Sequence, residues 1–271
     1  MGLRLLVYRP GAIGDTILTL PALAALRRRF PEAHITWAGN AACLPLLPVE
    51  EAMSADDMRL LPLFGDPPQA IADIHVVFAR SLGAMGGASR PTDMGGGEPL
   101  VGIQRDPLEA VARGVHVAEW LVDAIDPSFE DRVPRLEVEP GDGAPMVIHA
   151  GAGSAGKRWS DANFEAVAEA LRMPLAIVQG PADPEPAISR RHEIWRELPL
   201  AELAKRLKGS GLFIGNDSGI SHLAAAVGMP AIAVYVATDP AVWGIRGERA
   251  RCAEPSIEAV LRAANSLGFR A

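Results

Sequence analysis

The chain has 271 residues, 49% of them apolar and 22% charged, which is enough for two domains of ordinary size and excludes a disordered polypeptide. Its formal net charge of −7 disfavours a protein that tracks nucleic-acid phosphates. Cys43 and Cys252 show neither a metal-ligand spacing nor a disulfide framework, the opening MGLRLLVYRP is no signal peptide, and the longest apolar run, Leu223 to Ala237, is broken by Gly228 and Pro230. A soluble cytoplasmic protein is expected, with peripheral contact at the cytoplasmic face of the inner membrane left open.

In chain order, LRLLVYR (Leu3 to Arg9) reads as a buried strand. From Asp15 to Arg29 the apolar residues recur at helical spacing, and Pro31 ends that helix. HITWAG (His34 to Gly39) is a second strand, further apolar runs follow at Arg59 to Phe64, Ile74 to Ala79 and Leu100 to Ile103, and HVAEWLVDAI is a helix. The glycine-rich SLGAMGGASRPTDMGGGEPL fits no element; it reads as a surface connection or as a loop over an acceptor site. Between Asp126 and Pro145 four prolines and six acidic residues break the pattern. Alternation then restarts, with strands at MVIHAG, LAIVQG, LFIGN and AIAVYV and helices at Asn163 to Leu171, Leu200 to Leu207, Gly219 to Val227 and Ser256 to Leu267. This predicts an α/β protein of two Rossmann-like domains, 1–130 and 146–271, joined by a linker at 131–145, with the last helix free to pack back on the first domain.

Chemistry-bearing residues cluster in the turns that follow predicted strands, where ligands gather in open α/β sheets. In RPGAIGDTILTLPAL, Gly11 and Gly14 permit a sharp turn and Asp15 stands at the helix start, as a cap or as a general base. In GAGSAGKRWS, spaced glycines and Lys157 could face a phosphate, aided by the amides of the next helix. The spacing approaches the P-loop pattern, but Arg158 replaces the hydroxyl that would hold Mg²⁺. Lys157 and Arg158 could also be solvated charges, although the chain has only three lysines. In LFIGNDSGISHLAAAVGMP, Asp217, Ser218 and Gly219 open a helix and His222 leans back over its start, so the group could meet an anion; a cap and a structural histidine are the plainer alternatives. Asp183 or Glu185, after LAIVQG, could bind ribose hydroxyls, and Thr238, after AIAVYV, could donate to a phosphate. No carboxylate pair or His/Cys spacing implies a metal or other cofactor.

These three turns, in this order, resemble the heptosyltransferase family of bacterial lipopolysaccharide synthesis, glycosyltransferase family 9. The stretches that carry the likeness are RPGAIGDTILTLPALAALRRRFPEAHITW, GAGSAGKRWSDANFEAVAEAL and LAELAKRLKGSGLFIGNDSGISHLAAAVGMPAIAVYVATDPAVWGIRG. The resemblance implies two Rossmann-like domains facing a cleft in the GT-B arrangement. It implies metal-independent, inverting transfer of a sugar, typically from ADP-heptose, to a glycolipid or other glycan acceptor. On it, Asp15 matches the base, Lys157 the lysine near the donor diphosphate, and Asp217, Ser218, Gly219 and His222 the donor-sugar and phosphate loop, with Gly14 and Thr238 alongside and ribose on Asp183 or Glu185. Two departures stand out: the N-terminal half is shorter than in typical members, and Val236 and Ala237 precede Thr238 where the family usually has a glycine. A nucleotide-sugar-binding protein without transfer activity, an epimerase-like enzyme and a P-loop NTPase are the competing readings.

Overall fold

The computed structural model describes residues 2–65, 69–80, 102–188 and 192–270. The glycine-rich stretch after Arg80 lies outside them. The chain divides into two compact units, Met1–Arg132 and Val133–Ala271.

In the first unit, β1 (Arg4–Arg9) leads into α1 (Ile13–Arg29), followed by β2 (His34–Gly39), β3 (Glu51–Ser54), β4 (Ile74–Val77), β5 (Ile103–Gln104), α2 (Glu109–Arg113) and α3 (Val117–Ile125). The strands form one sheet in the order β3-β2-β1-β4-β5, and each described pairing is parallel. The central strand is apolar on both faces because helices and turns cover both; Leu5, Leu6 and Val7 are almost completely buried. The apolar run at Arg59 to Phe64 is a 3₁₀ turn, Met58–Phe64, with Pro62 inside it.

The second unit repeats the plan. It runs β6 (Met146–His149), α4 (Asp161–Leu171), β7 (Leu175–Gln179), β8 (His192–Arg196), α5 (Leu200–Lys208), β9 (Leu212–Asn216), α6 (Gly219–Ala226), β10 (Ala231–Val234), α7 (Pro240–Trp243), β11 (Ala250–Ala253) and α8 (Ile257–Ser266). The sheet order is β11-β10-β9-β6-β7-β8, again parallel. The chain order reverses about β6 and β9, the kind of switch point at which α/β sheets bind ligands. The proline-rich stretch 133–145 has no helix or strand and is tied to this unit by Leu136 N–H to Ala226 O and Gly141 N–H to Lys205 O. The last helix buries Val260 and Ala264 in this unit's core, beside Phe164 and Ile232. Among the described residues no helix is long and apolar enough to cross a membrane.

Candidate functional site

Polar residues close four strands, and all four are buried: Arg9 ends β1, His149 ends β6, Gln179 ends β7 and Asn216 ends β9. A polar group buried there needs partners inside the protein, and Arg9, His149 and Asn216 find them in the turns beyond, while Gln179 donates to Pro184 O and leaves its Oε1 without one.

In the first unit, the Arg9 guanidinium donates to Thr19 Oγ1, to the carbonyls of Pro10 and Phe78, and to Asp15 Oδ1 at 2.7 Å. Burial pulls this guanidinium below its usual pKa, while the charge and hydrogen bonding of Asp15 push it back up. Asp15 is the third residue of α1, not its N-cap; its Oδ2 accepts the Ala12 N–H at 2.9 Å, across the turn. Gly11 makes that fold-back possible, because its φ is +139° and a Cβ there would stand 2.7 Å from Asp15 Oδ2. The Asp15 side chain remains 30% exposed. Gly14 lies beside it in the first turn of α1, in a different unit from the remaining donor-site candidates.

In the second unit, the turns after β6, β7, β9 and β10 converge. Asp217 is the hub: its Oδ2 accepts Lys157 Nζ at 2.8 Å and the Thr238 hydroxyl at 2.5 Å, and its Oδ1 lies 4.0 Å from His222 Nε2. Lys157 is therefore ion-paired rather than simply solvated. Ser218 caps α6 by accepting the Ser221 N–H, so the cap reading holds for it, and Gly219 is the first helical residue. His222 is buried over this helix start, whose first amides carry partial positive charge. Asn216 braces the floor, donating to Ala150 O and accepting the Trp159 N–H. Trp159 packs edge-on against Phe164, as a core residue. The turn carrying Lys157 is a short 3₁₀ segment, Ala155–Lys157, and α4 starts only at Asp161 behind its Ser160 cap. The helix start beside Lys157 is therefore that of α6 and not, as the sequence suggested, that of the next helix in the chain.

The ribose candidates separate. Asp183 Oδ2 accepts the Gly180 N–H at 2.8 Å and lies 3.1 Å from His149 Nε2, so it belongs to the cluster. Burial raises the pKa of this carboxyl, but hydrogen bonds from His149 and Gly180 outweigh it and hold the group below its usual value. Glu185 instead pairs with Arg196 at the end of β8, and its side chain is 71% exposed. Sequence reasoning missed Arg9, His149 and Asn216, although each was visible as a polar residue closing an apolar run. Among the described residues no group of three or more His, Cys, Asp or Glu could hold a metal ion. Burial pushes the Cys43 thiol up to about 11, which leaves it inert near neutral pH.

Comparison with known proteins agrees with this architecture. Residues 130–260 match the family model for glycosyltransferase family 9 (heptosyltransferase). Lipopolysaccharide heptosyltransferase 1 of Pseudomonas aeruginosa is 23% identical over 90% of this chain and 82% of its own length. The structure of the E. coli ADP-heptose lps heptosyltransferase II superposes with a TM-score of 0.74 at 20% identity, covering 98% of both chains. The family 9 glycosyl transferase from Veillonella parvula also gives 0.74, at 19% identity over 98% of this chain and 97% of that one. The resemblance read from the sequence agrees with these matches: the chain has two parallel-sheet α/β domains, the fold of these solved structures, and residues 130–260 resemble the glycosyltransferase family 9 (heptosyltransferase) model.

Proposed function

We propose that the chain transfers a heptose from ADP-heptose to a lipopolysaccharide-type acceptor, with inversion and without a metal. The observation that carries this reading is the hub at Asp217. It gathers a lysine, a hydroxyl and a histidine at the positive end of α6, which is a setting for a diphosphate. Lys157 has three donor protons and gives one to Asp217, leaving two for phosphate oxygens. As the diphosphate leaves the anomeric carbon its charge grows, and Lys157, the α6 amides and His222 would meet it, while Thr238, whose proton goes to Asp217, would hold that carboxylate in place. Preorganised donors of this kind are worth about 3–4 kcal/mol each in a transition state. Asp183 would take the ribose hydroxyls. On the first unit Asp15, anchored by Arg9 but still accessible, would accept the proton of the attacking hydroxyl.

The test is incubation of the purified chain with ADP-heptose and a lipopolysaccharide that lacks its heptoses. ADP should be released, the acceptor extended, and the anomeric configuration inverted, at equal rates in Mg²⁺ and in EDTA. Loss of turnover in EDTA would overturn the metal-free reaction. Tight ADP-heptose binding without turnover would favour a nucleotide-sugar-binding protein, and conversion of the donor alone would favour an epimerase.

A further inference from the structure

His149 has no part in the reaction just described, yet it connects Asp183, which does, with Ser218, the cap of the helix whose amides would meet the diphosphate. It is buried at the end of β6, with Nε2 3.1 Å from Asp183 Oδ2 and Nδ1 3.1 Å from Ser218 Oγ. A carboxylate only accepts, so Nε2 carries the proton that faces Asp183. Nδ1 then has two states. In the neutral ring it bears a lone pair, and the Ser218 hydroxyl must donate to it. In the imidazolium it bears a proton, and Ser218 Oγ must accept it.

The two states leave Ser218 with different outward chemistry. Its oxygen already accepts the Ser221 N–H as the cap of α6. With neutral His149 its single proton is spent on the ring. With charged His149 that proton is released. Among the described residues the acceptor then within reach is Ser221 Oγ, 3.3 Å away, whose own proton goes to Asn216 O. An anionic phosphate oxygen at the helix start is a stronger acceptor than a hydroxyl.

We propose that His149 is a positioning residue for the donor diphosphate: it sets whether the Ser218 hydroxyl points its proton at the imidazole or at a phosphate oxygen. The inference rests on the donor-site reading above. The charged groups around this link are Asp183 on the turn after β7, Lys157 and Arg158 on the turn after β6, Asp161 at the start of α4, and Asp217 and His222 about the start of α6. The Lys157–Asp217 pair and the Arg158–Asp161 contact each set a cation against a carboxylate, and His222, the other histidine of the group, faces Asp217.

Calorimetric binding of ADP-glucose tests this, because a diphosphate esterified at both ends has no proton to lose near neutrality. Affinity for the wild-type chain should be about tenfold tighter near pH 5.5 than near pH 8, across the interval in which histidines change charge. Ser218→Ala should weaken binding at the acid end and abolish the pH dependence, whereas Ser218→Thr, which keeps the hydroxyl, should restore it. His149→Phe should give the same flat profile, and adding Ser218→Ala to it should cost nothing further. Melting temperatures identify a variant that has failed to fold, and the Ser218 pair then decides the matter alone. A pH dependence that survives Ser218→Ala would show that charge on His149 or His222, and not the Ser218 proton, carries it and would overturn the proposal, as would pH-independent binding to the wild type. No binding at any pH would overturn the donor-site reading, and the inference with it.

Discussion

Asp15 and Asp217 both stand at the start of a helix that follows a parallel strand, but their surroundings differ. Asp15 takes one hydrogen bond from Arg9 and one from the Ala12 amide, and its side chain is 30% exposed. Asp217 takes Lys157 and Thr238 on one oxygen and faces His222 with the other, and its side chain is only 6% exposed. An accessible carboxylate with lone pairs to spare can receive a proton from a substrate. A buried one whose oxygens face a lysine, a histidine and a hydroxyl is a fastening. Residue type and position are shared, so the partners must decide the role.

The largest expected effect would break that distinction if it failed. Asp15→Asn keeps the size and one acceptor of the side chain, gives up one of the two hydrogen bonds from Arg9 and Ala12 because its NH2 only donates, and removes the base. Turnover should fall by roughly 10²–10⁴-fold, while calorimetric ADP affinity stays at the wild-type value. Normal turnover would remove Asp15 from the role of base. Asp217→Ala should act the other way round, on the fold of its own unit. It strips Lys157, Thr238 and His222 of a shared partner. Because Lys157 is itself 34% exposed, the cost is less than for a fully buried pair, about 2–3 kcal/mol by denaturant unfolding. An unchanged midpoint would show that Asp217 is not a fastening.

The same contrast between inner and outer positions governs what the sequence made legible. Inner strands such as β1, β6, β7, β9 and β10 are covered on both faces, so they appear as unbroken apolar runs and were read with nearly correct ends. Of the strands at the sheet edges, β3, β8 and β11 were not read, and β5 was touched only by the end of the run at Leu100 to Ile103. In β8, HEIWR, only Trp195 is buried, and β3 and β11 are four residues long with mixed exposure. Nothing in such segments repeats often enough to signal a strand. Candidate site residues were legible where they fell in glycine-containing turns, as with Asp15, Lys157 and Ser218. Arg9, His149 and Asn216 escaped because a polar residue ending an apolar run looks like the point where the strand meets solvent, whereas each is at most 5% exposed. Choosing between Asp183 and Glu185 needed the partners themselves, since both are acids two residues apart on one turn.

That pair gives the smallest expected effects and the sharpest local contrast. A Cβ on Gly151 would stand 2.0 Å from Asp183 Oδ1, so Gly151→Ala must displace the carboxylate from His149 and from the Gly180 amide. Loss of about 1–3 kcal/mol of stability is expected, together with weaker ADP binding. The pH dependence should change as well. Asp183 titrates below the ordinary carboxylate range when folded, so its contribution is present above that range and is lost as the pH falls through its depressed value. Gly151→Ala should flatten this acid limb of the stability curve. Glu185→Gln loses only an ion pair at the exposed end of β8, where solvent screens the charges. Neither the melting temperature nor ADP affinity should move. A drop in ADP affinity for Glu185→Gln with none for Gly151→Ala would transfer the ribose contact from Asp183 to Glu185, despite the hydrogen bonds that tie Asp183 into the cluster.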